Sequence, residues 1–502
     1  MSLRSRSSHA FYEALNFVAG KRCRPSHAVS SFAVHEPATG KLIVDCPNSS
    51  AKDVDEAVQA GRRAFGEWAA LSGLQRSGVM RKTAELIRTN LDDLAFWETK
   101  DNGKPVYESR MDIEHCADIF DFFGAAASTM HGTYHDLAGA SDRVVWESRE
   151  PLGVCAGVGA WNYPLQTASW KMAPAIACGN AFVYKPSPWS PLTATILAQL
   201  IAEAGAPDGL VNVVQGDATT GEALCHHDYI AKVSFTGSVA TGKRIQQACA
   251  ARNLKPVTLE LGGKSPLLIF ADADLDGAVS GAMMANFFSQ GQVCSNAARV
   301  YVHESIMAEF TEKLVQRTRA MKIGNPYEET CRVGAMISKE HMEKVLGYIE
   351  TGRKEGAKIL YGGERVHPED PAYSDGYFVS PCVMTDCNDG MKVCKEEIFG
   401  SVLTLLSFKS DAEVVQRANN TEFGLAAGLF TSNVSRAHRV SRQLQAGNVY
   451  INTFNDVSAS VPFGGFKQSG YGRENGLAAL QHYSQIKAVW LNTSDAKLEA
   501  PF

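Results

Sequence analysis

The chain has 502 residues, of which 45% are hydrophobic and 21% charged, and its formal net charge is −5. This length is sufficient for two or three domains, and the composition is that of a soluble globular protein. The slightly acidic balance argues against nucleic acid or an anionic membrane as a partner, and no apolar run approaches the ~20 residues of a membrane-spanning helix.

The first part of the chain predicts two strands followed by helices. The stretch FAVHEPATGKLIVDCP is typical of two strands around a Pro/Gly turn. Ser50 and Asp53 have the spacing of a capping box at the start of an amphipathic helix, and helical patterns continue to about residue 132. The segment RVVWESREPLG then alternates as a strand would.

From Val154 the pattern changes to short apolar strands that alternate with helices. The strands include VCAGVGAW, AFVYKPS, VNVVQG, KVSFTGS and PVTLELGG. A second series of the same kind begins near SPLLIFADADLDGAV. Strands that alternate with helices of roughly 10–15 residues indicate parallel sheets covered by helices, so the sequence predicts two α/β domains in succession.

Twelve cysteines are scattered between Cys23 and Cys394, without a CxxC pair. Their spacings fit no structural zinc site, so no metal is expected, and reduced thiols favour a cytoplasmic protein. The first ten residues, MSLRSRSSHA, are rich in serine and arginine. They faintly resemble a transit peptide, so a targeting segment stays an alternative.

One cysteine, Cys294, stands on a polar, glycine-bearing turn in SQGQVCSNAARV instead of in an apolar run. Two alternatives are open: Cys294 only fills space in the packed interior, or its thiol is a nucleophile. A nucleophilic thiol needs a donor for an oxyanion and a group that activates water. Asn162 in GAWNYP follows a strand and is held by Pro164, and Glu260 in LELGGKSP has an apolar, glycine-flanked setting that would raise its pKa. Taken singly, Asn162 is as typical of a turn or a helix cap, and Glu260 is as typical of a turn.

Further polar residues follow other predicted strands of the first series. In FTGSVATG, Gly237 permits a tight turn and Ser238 can cap a helix whose free N–H groups attract phosphate. Lys185 ends the strand AFVYK, at the carboxyl edge where ligands of such sheets bind. A plain helix cap and a surface lysine are the alternatives. The segment EEIFGS adds a carboxylate beside an aromatic ring.

Together these motifs are specific. In order they are GAWNYP, KPSP, FTGS, LELGGKSP, GQVCS, EEIFGS and PFGGFKQSG. Through them the chain resembles the NAD(P)-dependent aldehyde dehydrogenase superfamily over nearly its whole length, and within it the betaine aldehyde and 4-trimethylaminobutyraldehyde dehydrogenases. The resemblance implies an α/β fold with two Rossmann-like doubly wound parallel-sheet domains plus a small β oligomerisation arm.

The resemblance also implies catalytic roles. Cys294 is the nucleophile, Asn162 and the Cys294 backbone N–H form the oxyanion hole, and Lys171 supports Asn162. Glu260 is the general base. The implied reaction passes through a thiohemiacetal and a thioester on Cys294, and water activated by Glu260 releases a carboxylic acid.

The implied cofactor is NAD. The cofactor-binding residues carried over from the family are Trp161, Lys185, Gly237, Ser238, Gly242, Glu397 and Phe399. Lys185 would contact the adenosine ribose, Gly237 and Ser238 the pyrophosphate, and Glu397 the nicotinamide ribose. Pro188 stands where the family commonly has a glutamate that binds ribose hydroxyls, so NADP remains an alternative, and Ser401 replaces a usual proline.

The substrate implied is an amino-aldehyde. Tyr163, Trp170 and Phe288 flank the catalytic motifs and could form an aromatic box around a quaternary ammonium, and Asp456 could add a negative charge at the tunnel mouth. The alternative is that these aromatic residues line an apolar tunnel for general aliphatic aldehydes. A CoA-acylating semialdehyde dehydrogenase and a lens-type structural protein are rivals. Glu260 argues against the first, and the joint presence of Cys294, Glu260 and Asn162 argues against the second.

The family organisation implies a division of the chain. Residues 1–125 and 150–262 would bind NAD, residues 263–470 would form the catalytic domain, and residues 126–149 and 471–502 would form the oligomerisation arm. The expected assembly is a homo-oligomer, with a tetramer favoured over a dimer.

Overall fold

The computed structural model describes residues 15–28, 30–137, 139 and 142–495. The serine- and arginine-rich segment with the transit-peptide resemblance lies outside these residues. In chain order the strands are β1 (Asn16–Val18), β2 (Lys21–Cys23), β3 (Ser31–His35), β4 (Leu42–Pro47), β5 (Tyr134–His135), β6 (Arg143–Pro151), β7 (Val154–Val158), β8 (Ala181–Lys185), β9 (Val211–Val213), β10 (Ile230–Thr236), β11 (Val257–Glu260), β12 (Pro266–Ile269), β13 (Arg299–His303), β14 (Lys358–Tyr361), β15 (Arg365–Val366), β16 (Phe378–Val379), β17 (Cys382–Thr385), β18 (Val402–Phe408), β19 (Phe423–Gly424), β20 (Ala426–Phe430), β21 (Asn448–Ile451), β22 (Phe466–Lys467), β23 (Gly470–Tyr471) and β24 (Ser484–Asn492).

Within the described residues the helices follow β4. They are α1 (Ala51–Ala70), α2 (Gly73–Thr89), α3 (Leu91–Asn102), α4 (Val106–Ala127), α5 (Pro164–Ala177), α6 (Leu192–Glu203), α7 (Ala218–His226), α8 (Val239–Arg252), α9 (Leu275–Phe287), α10 (Met307–Arg319), α11 (Lys339–Lys354), α12 (Lys392–Lys395), α13 (Asp411–Asn419) and α14 (Val434–Ser441). The predicted capping box is confirmed: the Ser50 side chain accepts from the Asp53 N–H, and the Asp53 carboxylate accepts from the Ser50 N–H.

The first sheet has the strand order β2-β1-β9-β8-β7-β10-β11-β23. Its five central strands, from β9 to β11, are mutually parallel, and the strands at both ends are antiparallel. The chain proceeds from β7 outward to β9 and then crosses to the other side of β7 with β10. Such a reversal opens a crevice at the carboxyl ends of the two strands, which is where ligands of doubly wound sheets bind.

The second sheet has the strand order β14-β17-β18-β13-β12-β20-β21 and is parallel except for β14. Both of its faces are buried. Along β12, Leu267 and Ile269 enter one apolar cluster, whereas Leu268 enters the cluster on the opposite face. This alternation is expected for a parallel sheet covered by helices on both sides, and it confirms the predicted α/β class.

A third, antiparallel sheet has the order β24-β6-β5. Strand β24 pairs with β6 over its whole length, from Ser484 opposite Pro151 to Asn492 opposite Arg143. The two strands predicted as an oligomerisation arm therefore form one ribbon. Its large apolar side chains are exposed, at 66% for Trp490 and 55% for Ile486.

All twelve cysteines are free thiols. Among the described residues, no helix is both long and apolar enough to cross a membrane. No group of three or more His, Cys, Asp or Glu side chains in the described part of the chain could hold a metal ion.

Candidate active site

Cys294 lies on the turn between the 3-10 segment Phe288–Gly291 and β13. Its main chain packs against the two glycines that follow Glu260. A side-chain carbon on Gly263 would stand only 2.5 Å from the Cys294 carbonyl oxygen, and one on Gly262 would overlap the Glu397 carboxylate. The glycine pair therefore has a steric reason: it lets the loop after β11 approach both Cys294 and Glu397.

The thiol of Cys294 is in an environment that disfavours its charged form. Burial raises the pKa of Cys294 to about 12, and the nearby carboxylates of Glu260 and Glu397 contribute to this rise. The backbone N–H groups of Ser295 and of Cys294 itself act in the opposite direction. The carboxyl groups of Glu260 and Glu397 are therefore both within electrostatic range of the Cys294 thiol.

Asn162 follows β7 and directs its side chain to the turn that carries Cys294. Its amide nitrogen donates to the Gln292 carbonyl at 2.8 Å. Asn102, which the sequence reasoning missed, donates to the carbonyls of Trp161 (2.8 Å) and Asn162 (3.2 Å) and so fixes the main chain there. Since a side-chain amide has two N–H donors, one donor of Asn162 remains for a ligand.

Glu260 ends β11 and is 5% exposed. Burial raises its pKa well above the ordinary value, and the charge of Glu474 adds to the rise, while Lys171 and Arg473 oppose it. Within the described part of the chain, its Oε2 atom has no hydrogen-bond partner. The carboxyl group is thus poised to bind a small polar molecule.

The expected support of Asn162 by Lys171 is not a direct hydrogen bond in the described part of the chain. The Lys171 ammonium instead donates to Glu474 at 2.6 Å and to Thr236 at 2.8 Å, 303 and 65 residues away in the chain. Lys171 points to the first sheet because a fully buried ammonium requires a counter-charge. Glu474 is the partner that sequence reasoning missed. The signal was present, since Glu474 is an acidic residue just after the glycine-rich PFGGFKQSG motif.

Glu397 contacts the glycine pair that follows β11. Its Oε1 accepts the Gly263 N–H at 2.9 Å. Burial raises the pKa of Glu397, and the Gly263 N–H and the charges of Lys264 and Lys344 oppose this rise. Lys344, on α11, was also missed from the sequence.

The glycine-containing turn after β10 has the predicted form. Ser238 caps α8 by accepting the Thr241 N–H at 3.3 Å, and the Gly237 N–H donates to the Glu260 carbonyl at 3.0 Å. Gly242 packs against Leu261, where a side-chain carbon would be 2.8 Å from a Leu261 methyl carbon. The start of α8 therefore lies directly beside the strand that ends in Glu260, with its first N–H groups available to an anion.

Lys185 ends β8 and is buried. Its ammonium donates to the carbonyls of Gly216 (2.7 Å) and Pro186 (2.8 Å), and burial lowers its pKa to about 8. Pro188 is half-buried just beyond it. The lysine lies at the carboxyl edge, as predicted, but its hydrogen bonds in this structure go to the protein backbone.

Trp161 and Phe399 belong to one aromatic cluster, with ring centroids 5.1 Å apart. His341, another residue not identified from the sequence, stacks edge-on with Trp161 at 5.2 Å and contacts the Phe399 carbonyl through Nε2 at 2.8 Å. Trp189 lies on the outer side of Trp161 at 5.7 Å. The cluster therefore joins the loop after β7 to α11 and to the segment just after Glu397.

Tyr163 adjoins Asn162. Burial raises its pKa, and the charges of Asp112, Glu108 and Cys294 add to the rise, so Tyr163 is within electrostatic range of Cys294. One face of its ring is occupied, because the Lys104 ammonium lies 4.0 Å from the ring centroid. Lys104 is itself paired with Asp112 at 2.6 Å. Any cationic ligand would thus have to approach the remaining face or edge of Tyr163.

Trp170 forms a wall with two residues that the sequence did not indicate. Its ring lies 5.3 Å from Phe463 and 6.1 Å from His115, both edge-on. Burial lowers the pKa of His115, which favours its neutral form. The wall is therefore aromatic and uncharged.

The two remaining predicted substrate residues stand apart from this wall. Phe288 is half-buried at the end of α9, and among the described residues it makes no ring contact with Tyr163 or Trp170. Asp456 is exposed and accepts from the Thr453 hydroxyl at 2.6 Å. Burial raises the pKa of Tyr450, and the charges of Cys294 and Asp456 add to the rise, so both residues are within electrostatic range of Tyr450.

Comparison with known proteins agrees with this geometry. A family model described as "Aldehyde dehydrogenase family" matches residues 24–489. The chain belongs to the aldehyde dehydrogenase family. The resemblance inferred from the motifs is thereby confirmed.

Individual members of the family are similar over almost the full length. The chain is 51% identical to 4-trimethylaminobutyraldehyde dehydrogenase A of Danio rerio, over 97% of this chain and 95% of that protein. It is 49% identical to 4-trimethylaminobutyraldehyde dehydrogenase of Homo sapiens, over 97% and 98%.

Solved structures of the family superpose closely. Betaine aldehyde dehydrogenase from Staphylococcus aureus, in complex with NAD+, has a TM-score of 0.93 at 36% identity, covering 97% of this chain and 96% of that one. The NAD-dependent aldehyde dehydrogenase from Sinorhizobium meliloti has a TM-score of 0.93 at 37% identity, with the same coverage of 97% and 96%.

Proposed function

We propose that this family member oxidises a trimethylammonium aldehyde of the 4-trimethylaminobutyraldehyde or betaine aldehyde type to the carboxylic acid, with NAD as oxidant. The observation that carries the proposal is the convergence on Cys294 of Glu260, Glu397 and the Asn162-bound turn. This set combines a nucleophile, a base and an oxyanion donor in one place.

The residues present fit NAD. The Ser238-capped start of α8 offers backbone N–H groups to a pyrophosphate, and Gly242 keeps that helix close to the sheet. Glu397 would accept from ribose hydroxyls, Lys185 would face the adenosine ribose, and Trp161 and Phe399 would enclose the nicotinamide side. Bound NAD supplies the hydride acceptor.

In the proposed mechanism the Cys294 thiolate adds to the aldehyde carbon and forms a thiohemiacetal. The free N–H of the Asn162 amide and the Cys294 backbone N–H donate to its oxyanion. After hydride loss Cys294 carries a thioester. Glu260, whose raised pKa suits a general base near neutral pH, then takes a proton from the water that attacks the thioester, and the acid leaves.

Two observations support a cationic substrate. The relatives at about half identity are named for 4-trimethylaminobutyraldehyde. Trp170, Phe463 and the open side of Tyr163 offer uncharged aromatic surfaces, and Asp456 adds a negative charge within electrostatic range of Tyr450. An aromatic face attracts a quaternary ammonium by about 0.5–2 kcal/mol per contact.

We also propose the division of labour expected from the sequence. The first sheet, with residues 1–125 and 150–262, would bind NAD, and residues 263–470 would present the nucleophile. The ribbon of β6 and β24 would join subunits into a homo-oligomer, a tetramer rather than a dimer, and its exposed Trp490 and Ile486 support an interface there. The twelve free thiols support a cytoplasmic setting.

The deciding experiment measures kcat/KM for 4-trimethylaminobutyraldehyde, betaine aldehyde and a neutral aldehyde of equal length, with NAD and with NADP, by NADH or NADPH absorbance. We expect a cationic aldehyde to be preferred and NAD to be the better oxidant. Equal kcat/KM values for cationic and neutral aldehydes would favour an enzyme for general aliphatic aldehydes. Absence of turnover with any of them would contradict the proposal, and Cys294→Ser is the inactive control.

A further inference from the structure

A buried carboxylate on α4 contacts the turn that carries the nucleophile. Glu108 is 0% exposed, and its Oε2 accepts the backbone N–H of Ser289 at 3.0 Å, across 181 residues of chain. Its other oxygen accepts the Tyr107 hydroxyl at 2.9 Å. The neighbouring Lys104 forms its ion pair with Asp112, so these two neutral donors are the hydrogen-bond partners of Glu108.

The contacted turn has an unusual backbone. Ser289, Gln290 and Gly291 have φ values of 49°, 54° and 70°, so three successive residues are left-handed. Side chains other than glycine adopt this region at a cost in free energy, and they remain there only where surrounding contacts hold them. Ser289 and Gln290 are both buried, so water does not satisfy the Ser289 N–H.

Hydrogen bonds link this turn to Asn162 and to the segment that carries Cys294. The Gln292 N–H donates to the Ser289 carbonyl at 2.9 Å, and the Gln292 carbonyl accepts the Asn162 amide at 2.8 Å. The Gln292 side chain also accepts a hydrogen bond at 3.0 Å from the N–H of Ile337, which lies in the loop before α11. A shift of Ser289 would therefore move both the acceptor that orients Asn162 and the start of the Cys294 turn.

We propose that Glu108 is a positioning residue: its carboxylate holds the left-handed turn 289–291 from the first domain and thereby sets the Asn162 amide against Cys294. Burial raises the pKa of Glu108 to about 8, and its hydrogen bonds to Tyr107 and Ser289 and the charge of Lys104 oppose this rise. The inference rests on the proposed function only in assigning the reacting roles of Asn162 and Cys294.

Two substitutions test whether the reach of the Glu108 side-chain oxygen to the Ser289 N–H matters. Glu108→Gln keeps an oxygen for the Ser289 N–H and an N–H for the Tyr107 oxygen, so kcat should stay within about 3-fold of the parent. Glu108→Asp keeps the carboxyl group but shortens its reach by one methylene. It should lower kcat by roughly 10- to 100-fold, with KM for aldehyde and NAD within about 3-fold, because small misplacements of reacting groups reduce chemistry more than binding.

Hydrogen–deuterium exchange of the peptide 286–298 gives a readout that does not depend on activity. Uptake there should rise in Glu108→Asp and stay at the parental level in Glu108→Gln. Tyr107→Phe is the matched control, since it removes the other donor to Glu108 and leaves Ser289 untouched, and it should behave like the parent. Should Glu108→Asp fail to fold, Glu108→Met fills the same volume without an acceptor and is judged by the same criteria.

Equal kcat and equal uptake in Glu108→Asp and Glu108→Gln would overturn the inference, as would a loss in Glu108→Gln as large as that in Glu108→Asp. A loss confined to KM would do the same. If the parent protein oxidises no aldehyde, the proposed function fails, whereas the exchange data still decide whether Glu108 holds the turn.

Discussion

Cys294 and its neighbouring carboxyl groups make the pH behaviour of the free enzyme predictable. Since burial and the charges of Glu260 and Glu397 raise its pKa to about 12, the thiolate form of Cys294 is scarce at neutral pH and grows as the pH rises. Alkylation of Cys294 by iodoacetamide, followed by peptide mass spectrometry, should therefore accelerate about 10-fold per pH unit from 7 to 9. A plateau near pH 8 would show that the thiol ionises more easily than this site implies.

Glu260 should be needed after hydride transfer and not before it. With Glu260→Gln we expect a burst of about one NADH per site and little steady-state turnover, because thioester hydrolysis lacks its base. In the parent, the active form is the deprotonated one, so turnover should fall as pH drops through a pKa raised well above the ordinary value. Parental steady-state rates in the variant would remove Glu260 from the role of base.

Trp170 tests the aromatic box. Trp170→Leu removes a π face but keeps an apolar wall against Phe463 and His115. A desolvated contact of ~1–2 kcal/mol corresponds to a roughly 5- to 30-fold selective loss of kcat/KM for cationic aldehydes. The neutral aldehyde of equal length, measured on the same variant, is the control. Equal losses for both substrates would mean that Trp170 only shapes the tunnel.

At the scale of elements, the site is assembled by the carboxyl edge of the first sheet. Asn162, Lys185, Gly237 and Glu260 each follow or end a different parallel strand, so parallel pairing brings them to one edge. This part of the site could be predicted, because each residue's position relative to its own strand is a local property. The second sheet then brings Cys294 and Glu397 to the same place through the glycine pair after β11.

The loop after β8 should tune the choice of cofactor. Pro188 lies just beyond Lys185, where a carboxylate could accept from a ribose hydroxyl and would repel a 2′-phosphate. Pro188→Glu should shift the ratio of the Kd values for NADP and NAD by about 10-fold in favour of NAD, the size expected for a charged hydrogen bond. Fluorescence titration with both nucleotides measures this ratio, and an unchanged ratio would show that position 188 does not face the ribose.

At the scale of the whole molecule, the β6–β24 ribbon presents apolar side chains that an isolated subunit would leave in water. Among the described residues no strand pairs with the outer edge of β24, which is a ready template for another chain. Ile486→Asp combined with Trp490→Asp should therefore reduce the molar mass measured by light scattering to that of a smaller assembly. An unchanged mass would place the subunit interface elsewhere.

The sequence by itself determined the α/β class, the order of the strands along the chain and the residue types that carry the chemistry. These follow from local periodicity, from capping signals such as Ser50 with Asp53, and from motifs of a few residues. Each of these signals lies within a few consecutive residues, so it can be recognised without knowledge of the fold.

Only the tertiary structure decided which buried charges meet. The partner of Lys171 is Glu474, 303 residues away, and the N–H that Glu108 accepts belongs to Ser289, 181 residues away. A local pattern can draw attention to one member, as the position of Glu474 after PFGGFKQSG does, but it does not indicate the pairing, because a buried polar group is satisfied by whichever partner the packing of distant elements brings within hydrogen-bond distance. For the same reason Asn162 donates to Gln292 and is contacted by Asn102, whereas Lys171, on the helix that follows Asn162, pairs with Glu474.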